Sequence, residues 1–175
     1  MDLAYLWHSQ NFQIAIKIVY AAALCYGCVS DIKSLRIPNA VSVIVLVLFF
    51  LNYWPSEPAA GFTKHIIVAG AALLLGFGVY AAGFMGAGDI KLISALMLWA
   101  GPQDGLAFVM VMTLAGGIFA GMLLITRASM AVWPSAHHYI RSRRLRMWAQ
   151  RGVFPYGIAI CTAGLLLMPS FFTPH

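Results

Sequence analysis

The sequence predicts an all-α integral membrane protein with about six transmembrane helices, and three observations carry that prediction. Of its 175 residues 62% are hydrophobic and only 9% charged, where soluble domains carry roughly a quarter charged residues. Apolar runs approaching the roughly 20 residues that cross a bilayer recur along the whole chain. Lys and Arg gather in alternate connections between those runs, which is how positive charge fixes membrane topology.

Taken in order, the apolar windows fall at about 12–30, 38–54, 65–85, 89–101, 105–125 and 153–172. Asn39, Gly61, Gly101-Pro102 and Gly152 mark breaks between them. The first window follows Asp2 with no early positive region and no small-residue cleavage pattern after it, so it reads as a span and not as a removable signal peptide. The fourth is short, because about a dozen residues at 1.5 Å each fall well under a hydrocarbon core of roughly 30 Å.

The basic residues arbitrate. Lys33 and Arg36 lie in the first connection, Lys91 borders the third, and Arg141, Arg143, Arg144, Arg146 and Arg151 fill the fifth. These share the cytoplasmic side only if the fourth window crosses. Glu57 and Lys64 in the second connection and Asp104 in the fourth then face outward, with both termini. Lys17, inside the first run, is expected to snorkel to the outer interface. No repeat or linker divides the chain, so residues 1–175 read as a single membrane-embedded domain. Residues 126–152 form a cytoplasmic basic loop within it, whose Trp133 and Trp148 suit partial contact with the inner membrane surface.

The formal charge of +6, from eleven Lys and Arg against five acids, is therefore topological and meets anionic lipid. No nucleic-acid partner is expected. Cys25, Cys28 and Cys161 all lie in apolar segments and do not supply the four ligands of a structural zinc site, so they read as packing residues. Neither a metal nor any other cofactor is expected.

Acids are scarce enough to take one by one. Asp2 is terminal, Glu57 and Asp104 belong to outer connections, and only Asp31 and Asp89 abut apolar helices on the cytoplasmic side. An ionisable residue at membrane depth is a functional hypothesis by default. Asp31 closes the first helix and Asp89 opens the fourth, so the topology sets both at one level. Two carboxylates sharing a site can hold one proton between them, one ionised as a base and one neutral as an acid, which is the equipment of peptide hydrolysis. The helix ends assign Asp89 the base and Asp31 the acid, since an N-terminus favours negative charge and a C-terminus disfavours it by about 0.3–1 kcal/mol. Gly86 and Gly88 precede Asp89 and allow another backbone to approach closely. Read as structure alone, Asp89 would N-cap the fourth helix and Asp31 would be a solvated loop acid beside Lys33.

The residues Ser30 to Asn39, with Asp31 followed by Lys33, Arg36 and Ile37-Pro38-Asn39, resemble the first signature of the prepilin peptidases. Gly86-Ala87-Gly88-Asp89-Ile90-Lys91 resembles their Gly-x-Gly-Asp-x-Lys element. Pro155-Tyr156-Gly157 is similar to a segment that packs near the dyad in these enzymes. The resemblance implies a multi-pass aspartyl peptidase of the inner membrane, with Asp31 and Asp89 as its catalytic pair. Its active site would face the cytoplasm and remove the leader of a type IV prepilin-like membrane protein. It also assigns Lys33, Lys91, Pro155, Tyr156 and Gly157, with Gly86 and Gly88, to the supporting shell. The two Cys-x-x-Cys pairs of the longer bifunctional members are absent, so N-methylation is not expected, and the short form resembles the enzymes of tight-adherence (Flp-type) pili.

Lys33, Arg36 and Lys91 serve equally as topological charge, Pro38 and Asn39 as a helix start, and Tyr156 as an interfacial aromatic. Two readings from other classes stand beside the peptidase: a small proton- or cation-coupled transporter using the same two acids, and a non-catalytic membrane subunit of a pilus assembly machine.

Overall fold

A computed structural model describes residues 10–53, 59–132, 148 and 155–172. Among them the chain is helical, with no strand: α1 (Gln10–Ser34), α2 (Asn39–Tyr53), α3 (Ala59–Ala81), α4 (Ala87–Val132), α5 (Tyr156–Leu166) and the short α6 (Met168–Phe171). Ile16, Tyr20, Ala23, Leu24, Gly27 and Asp31 of α1 are buried at the three- and four-residue steps of one helical stripe. The opposite side of the same helix is also apolar, with Ile14, Ile18 and Tyr26 each more than half exposed. A helix that is apolar all round belongs in lipid. Three helices, α1, residues 61–81 of α3 and residues 87–129 of α4, are long and apolar enough to cross a membrane, and α2 and α5 are shorter apolar helices. The chain is an all-α membrane protein.

Several boundaries differ from the sequence expectation. The helix read as 12–30 continues to Ser34, so Lys33 lies with Asp31 in its last turn and not in a connection. It stops at Leu35, whose φ of 54° is left-handed, a conformation that a residue with a Cβ adopts at a cost of roughly 1–2 kcal/mol. The fourth and fifth windows run together as α4, with a break at Gly101 (φ 58°, ψ −162°) followed by Pro102. Met97 and Gly105 nevertheless approach to 3.3 Å across it, measured to a Cβ built on Gly105. Eight residues of continuous helix would rise about 12 Å, so the chain turns sharply there. Beyond the break α4 runs on to Val132, taking residues 126–132 into helix. Except for Trp148, the rest of the expected basic loop, with its five arginines, lies outside the described residues, as do Asp2 and Glu57.

The last window splits at Leu167, because Pro169 in the first turn of α6 starts a new helix. Asp104 is helical and not in a loop, and its carboxylate accepts a hydrogen bond from the Ser170 hydroxyl of α6. Lys17 sets its ammonium over the Phe172 ring, 5.4 Å from the centroid. Away from the two aspartates the core is aromatic. Phe49 stacks on Tyr53 and meets Trp99 edge-on, Trp99 contacts Tyr20 and Phe172, and the Trp99 indole N–H donates to the Val45 carbonyl at 2.9 Å. Phe49 thus packs in the core, and Phe50 meets it edge-on.

Candidate active site

Three chain segments converge at the other end of the bundle: the last turn of α1 with the Leu35–Pro38 connection, the first turn of α4, and the first turn of α5. Asp31 is 3% exposed. Its Oδ2 accepts a hydrogen bond of 2.8 Å from the backbone N–H of Gly157, the second residue of α5 and one of the donors that a helix start leaves without an internal partner. The approach leaves no space for a side chain, since a Cβ on Gly157 would lie 2.7–2.8 Å from Asp31 atoms. Pro155, fully buried, stands at the N-cap of α5 with an extended ψ of 87° and directs the next two residues toward α1. Tyr156 is 36% exposed; the group that reaches Asp31 is the amide of its neighbour.

Asp89 is the third residue of α4, not its cap. The first helical bond runs from Ile90 N–H to the Gly86 carbonyl, 3.3 Å, which makes Gly86 the cap, and the Asp89 carboxylate turns back to accept from the Gly86 N–H. This is the returning half of a capping box. A carboxylate could not turn back so tightly over a larger residue, because a Cβ on Gly86 would already sit 3.1 Å from Asp89 Oδ2. Both carboxylates therefore accept from a backbone N–H at the start of a helix, Asp31 from α5 and Asp89 from α4. Asp31 closes α1 and Asp89 opens α4, the two opposite helix ends from which the base was assigned to Asp89 and the acid to Asp31, and the Gly157 N–H offsets the C-terminal dipole at Asp31.

The turn carrying Asp89 is held from every side. Gly88 lies against the backbone of the first connection, where a Cβ would come within 3.0 Å of the Ile37 carbonyl oxygen. Lys91 Nζ donates to Asn39 Oδ1 at 3.3 Å, tying the first turn of α4 to the first turn of α2. The connection is fastened in turn: Ser30 Oγ donates to the Arg36 carbonyl at 3.0 Å, and Ser34 Oγ donates to the Ser30 carbonyl at 2.8 Å. Lys33 and the side chain of Arg36 are exposed. Of the residues singled out from sequence, Asp31, Gly86, Gly88, Asp89, Lys91, Pro155 and Gly157 form one contiguous cluster. Lys33 stands at its rim. Asn39, read as a helix start, does begin α2 and also joins the cluster through Lys91. Cys25 is exposed, Cys28 half-buried and Cys161 buried, all as free thiols, and no group of metal-ligating side chains occurs among the described residues.

A family model for the type IV leader peptidase family matches residues 18–121. The chain belongs to that family. The matched span is more than half of the chain and contains both aspartates with the segments that carry them, whereas the Gly157 segment lies beyond it. No curated protein and no solved structure matches. Membership makes the chain a membrane peptidase with prepilin substrates in general, and so favours the peptidase over the transporter and the non-catalytic subunit.

Proposed function

We propose that the chain is an aspartyl endopeptidase that removes the leader peptide from type IV prepilin-like precursors of the Flp type at the cytoplasmic face of the inner membrane. Asp31 and Asp89 are its catalytic pair. What supports this reading is that two carboxylates from distant segments lie in one cluster, each accepting a bond from a backbone amide, in a chain whose remaining described acid, Asp104, is engaged by α6. One carboxylate takes a proton from a water whose oxygen attacks the scissile carbonyl carbon. The other, protonated, gives its proton to the carbonyl oxygen. Collapse of the tetrahedral intermediate breaks the C–N bond, and the proton held by the base passes to the leaving amine.

Gly86, Gly88 and Gly157 serve by lacking side chains, which brings backbone amides onto the carboxylates and a neighbouring backbone onto the Asp89 turn. Lys91 positions that turn, Pro155 and Tyr156 begin the helix that supplies the Gly157 amide, and Lys33 keeps the site at the cytoplasmic surface. The chain is one domain of six crossings, with the site and residues 126–152 on the cytoplasmic side and both termini outside. The dyad requires no cofactor.

The test is co-expression with a candidate prepilin, following the mobility shift of leader removal for wild type, Asp31→Asn and Asp89→Asn. Cleavage retained by either variant refutes the dyad. Metal chelators should leave cleavage unchanged; activity lost on chelation and restored by metal would overturn the mechanism. Cysteine labelling from outside, in a background without Cys25, Cys28 and Cys161, should fail at position 140, and strong labelling there would refute the topology.

A further inference from the structure

We propose that Gly76 is a positioning residue for Asp89, acting through Ile90; the inference rests on the catalytic role of Asp89. Gly76 lies in α3, outside every motif in the sequence, and faces the residue that follows Asp89. A Cβ on Gly76 would stand 2.6 Å from Ile90 Cγ2 and 3.3 Å from Ile90 Cγ1, the first distance about 0.8 Å inside ordinary van der Waals contact. Ile90 is 5% exposed and β-branched, and in a helix such a side chain is confined to essentially one χ1 rotamer. It cannot swing aside. The collision is therefore passed to the backbone of the first turn of α4.

The rest of the α3–α4 seam determines which part moves. Deeper along it, Ser94 Oγ donates to the Ala69 carbonyl at 2.9 Å, and His65 Nδ1 lies 2.7 Å from the Leu98 carbonyl oxygen. These two rungs hold α4 to α3 beyond Ile90, so a methyl at position 76 pushes on the first turn of α4, the end that carries Asp89, and on its contacts with Ile37 and Asn39. A displacement near 1 Å at a reacting group costs on the order of 100-fold in rate. Gly76 thus sets the depth at which the Asp89 turn sits, and the role is independent of helix propensity.

Gly70 and Gly78 lie in the same helix with nothing within 4 Å of a built Cβ, which supplies the control. Purified enzyme in detergent is assayed on a prepilin peptide with Gly76→Ala, Gly78→Ala, Ile90→Ala and the double variant Gly76→Ala/Ile90→Ala, with Asp89→Asn in parallel. Gly76→Ala should lower kcat by about 10- to 100-fold with KM within about twofold of wild type, while Gly78→Ala keeps wild-type values. Placing Gly76→Ala in the Ile90→Ala background, which removes the atoms it meets, should cost nothing further. Wild-type kcat in Gly76→Ala, or a further loss in the Ile90→Ala background, overturns the proposal. Should Gly76→Ala fail to accumulate, the comparison within the Ile90→Ala background decides alone. An inactive Asp89→Asn beside a normal Gly76→Ala refutes only this inference, whereas an active Asp89→Asn removes the dyad and this inference with it.

Discussion

The two ends of the helix bundle are built on opposite plans. At the end holding Trp99, side chains fill the space: Phe49, Tyr53, Phe62 and His65 lie ring to ring, and Trp99 bridges to Tyr20 and Phe172. At the end holding the aspartates, side chains are missing where the chain segments meet. Gly157, Gly88 and Gly86 let backbone approach carboxylate or backbone approach backbone. Bulk packing fixes how the helices cross but tolerates small shifts of rotamer, because its contacts are many and individually weak. Backbone-to-carboxylate contacts are few and directional, so they set two oxygen positions far more narrowly. The aromatic end holds the molecule together and the glycine end aims it.

That division can be broken most forcefully at the carboxylates. Asp31→Asn and Asp89→Asn should each lower the rate of leader removal by about 10²–10⁴-fold, the range for loss of a general acid or base, with membrane accumulation near wild type. Gly157→Ala comes next. It should reduce cleavage by about 100-fold without unfolding the bundle, since the added methyl meets the Asp31 side chain; normal cleavage by this variant would show that the amide does not aim Asp31.

The other plan gives the opposite signature. Gly101→Ala combines a left-handed φ with a Cβ that would overlap the His65 ring, and should cost about 2 kcal/mol or more in stability. It should appear as a lower melting temperature in detergent, with kcat of the surviving enzyme close to wild type. A kcat loss matching that of Gly157→Ala would erase the distinction between the two ends. The smallest effect belongs to Asn39→Ala, which removes one exposed hydrogen bond worth about 1 kcal/mol and should change cleavage by no more than about fivefold. A swapped pair, Asn39→Lys with Lys91→Asn, should restore what the single change loses.

Sequence alone singled out Asp31 and Asp89, and the reason is scarcity: with five acids in 175 residues, membrane topology leaves one pair that can meet. It also carried the interruption at Gly101-Pro102, where both residues disfavour continued helix. The end of α1 was not legible, because it stops at a leucine in a left-handed conformation and not at a glycine, secured by the Ser30 hydroxyl, whose acceptor lies in the next connection. Nor was the place of Asp89 as third residue, since Gly86 and Asp89 are each acceptable caps by residue type. The reciprocal engagement of Gly76 with Ile90 and of Asp104 with Ser170 joins helices whose spacing no periodicity encodes. For the same reason the amide on Asp31 was expected only as a packing neighbour: a backbone N–H has no signature in the residue type that carries it.

The bond from Gly157 to Asp31 closes a loop of 126 residues, which gives the site a history as well as a geometry. During synthesis the first aspartate is threaded into the bilayer early, the second follows with α4, and the amide that orients the first arrives only with α5. Until then the carboxylates can lie in the same membrane without the group that aims one of them. On the proposed mechanism, proteolytic competence thereby waits on the arrival of α5, so a molecule whose α5 is still to be inserted, surrounded by other nascent membrane segments, is not yet armed against them.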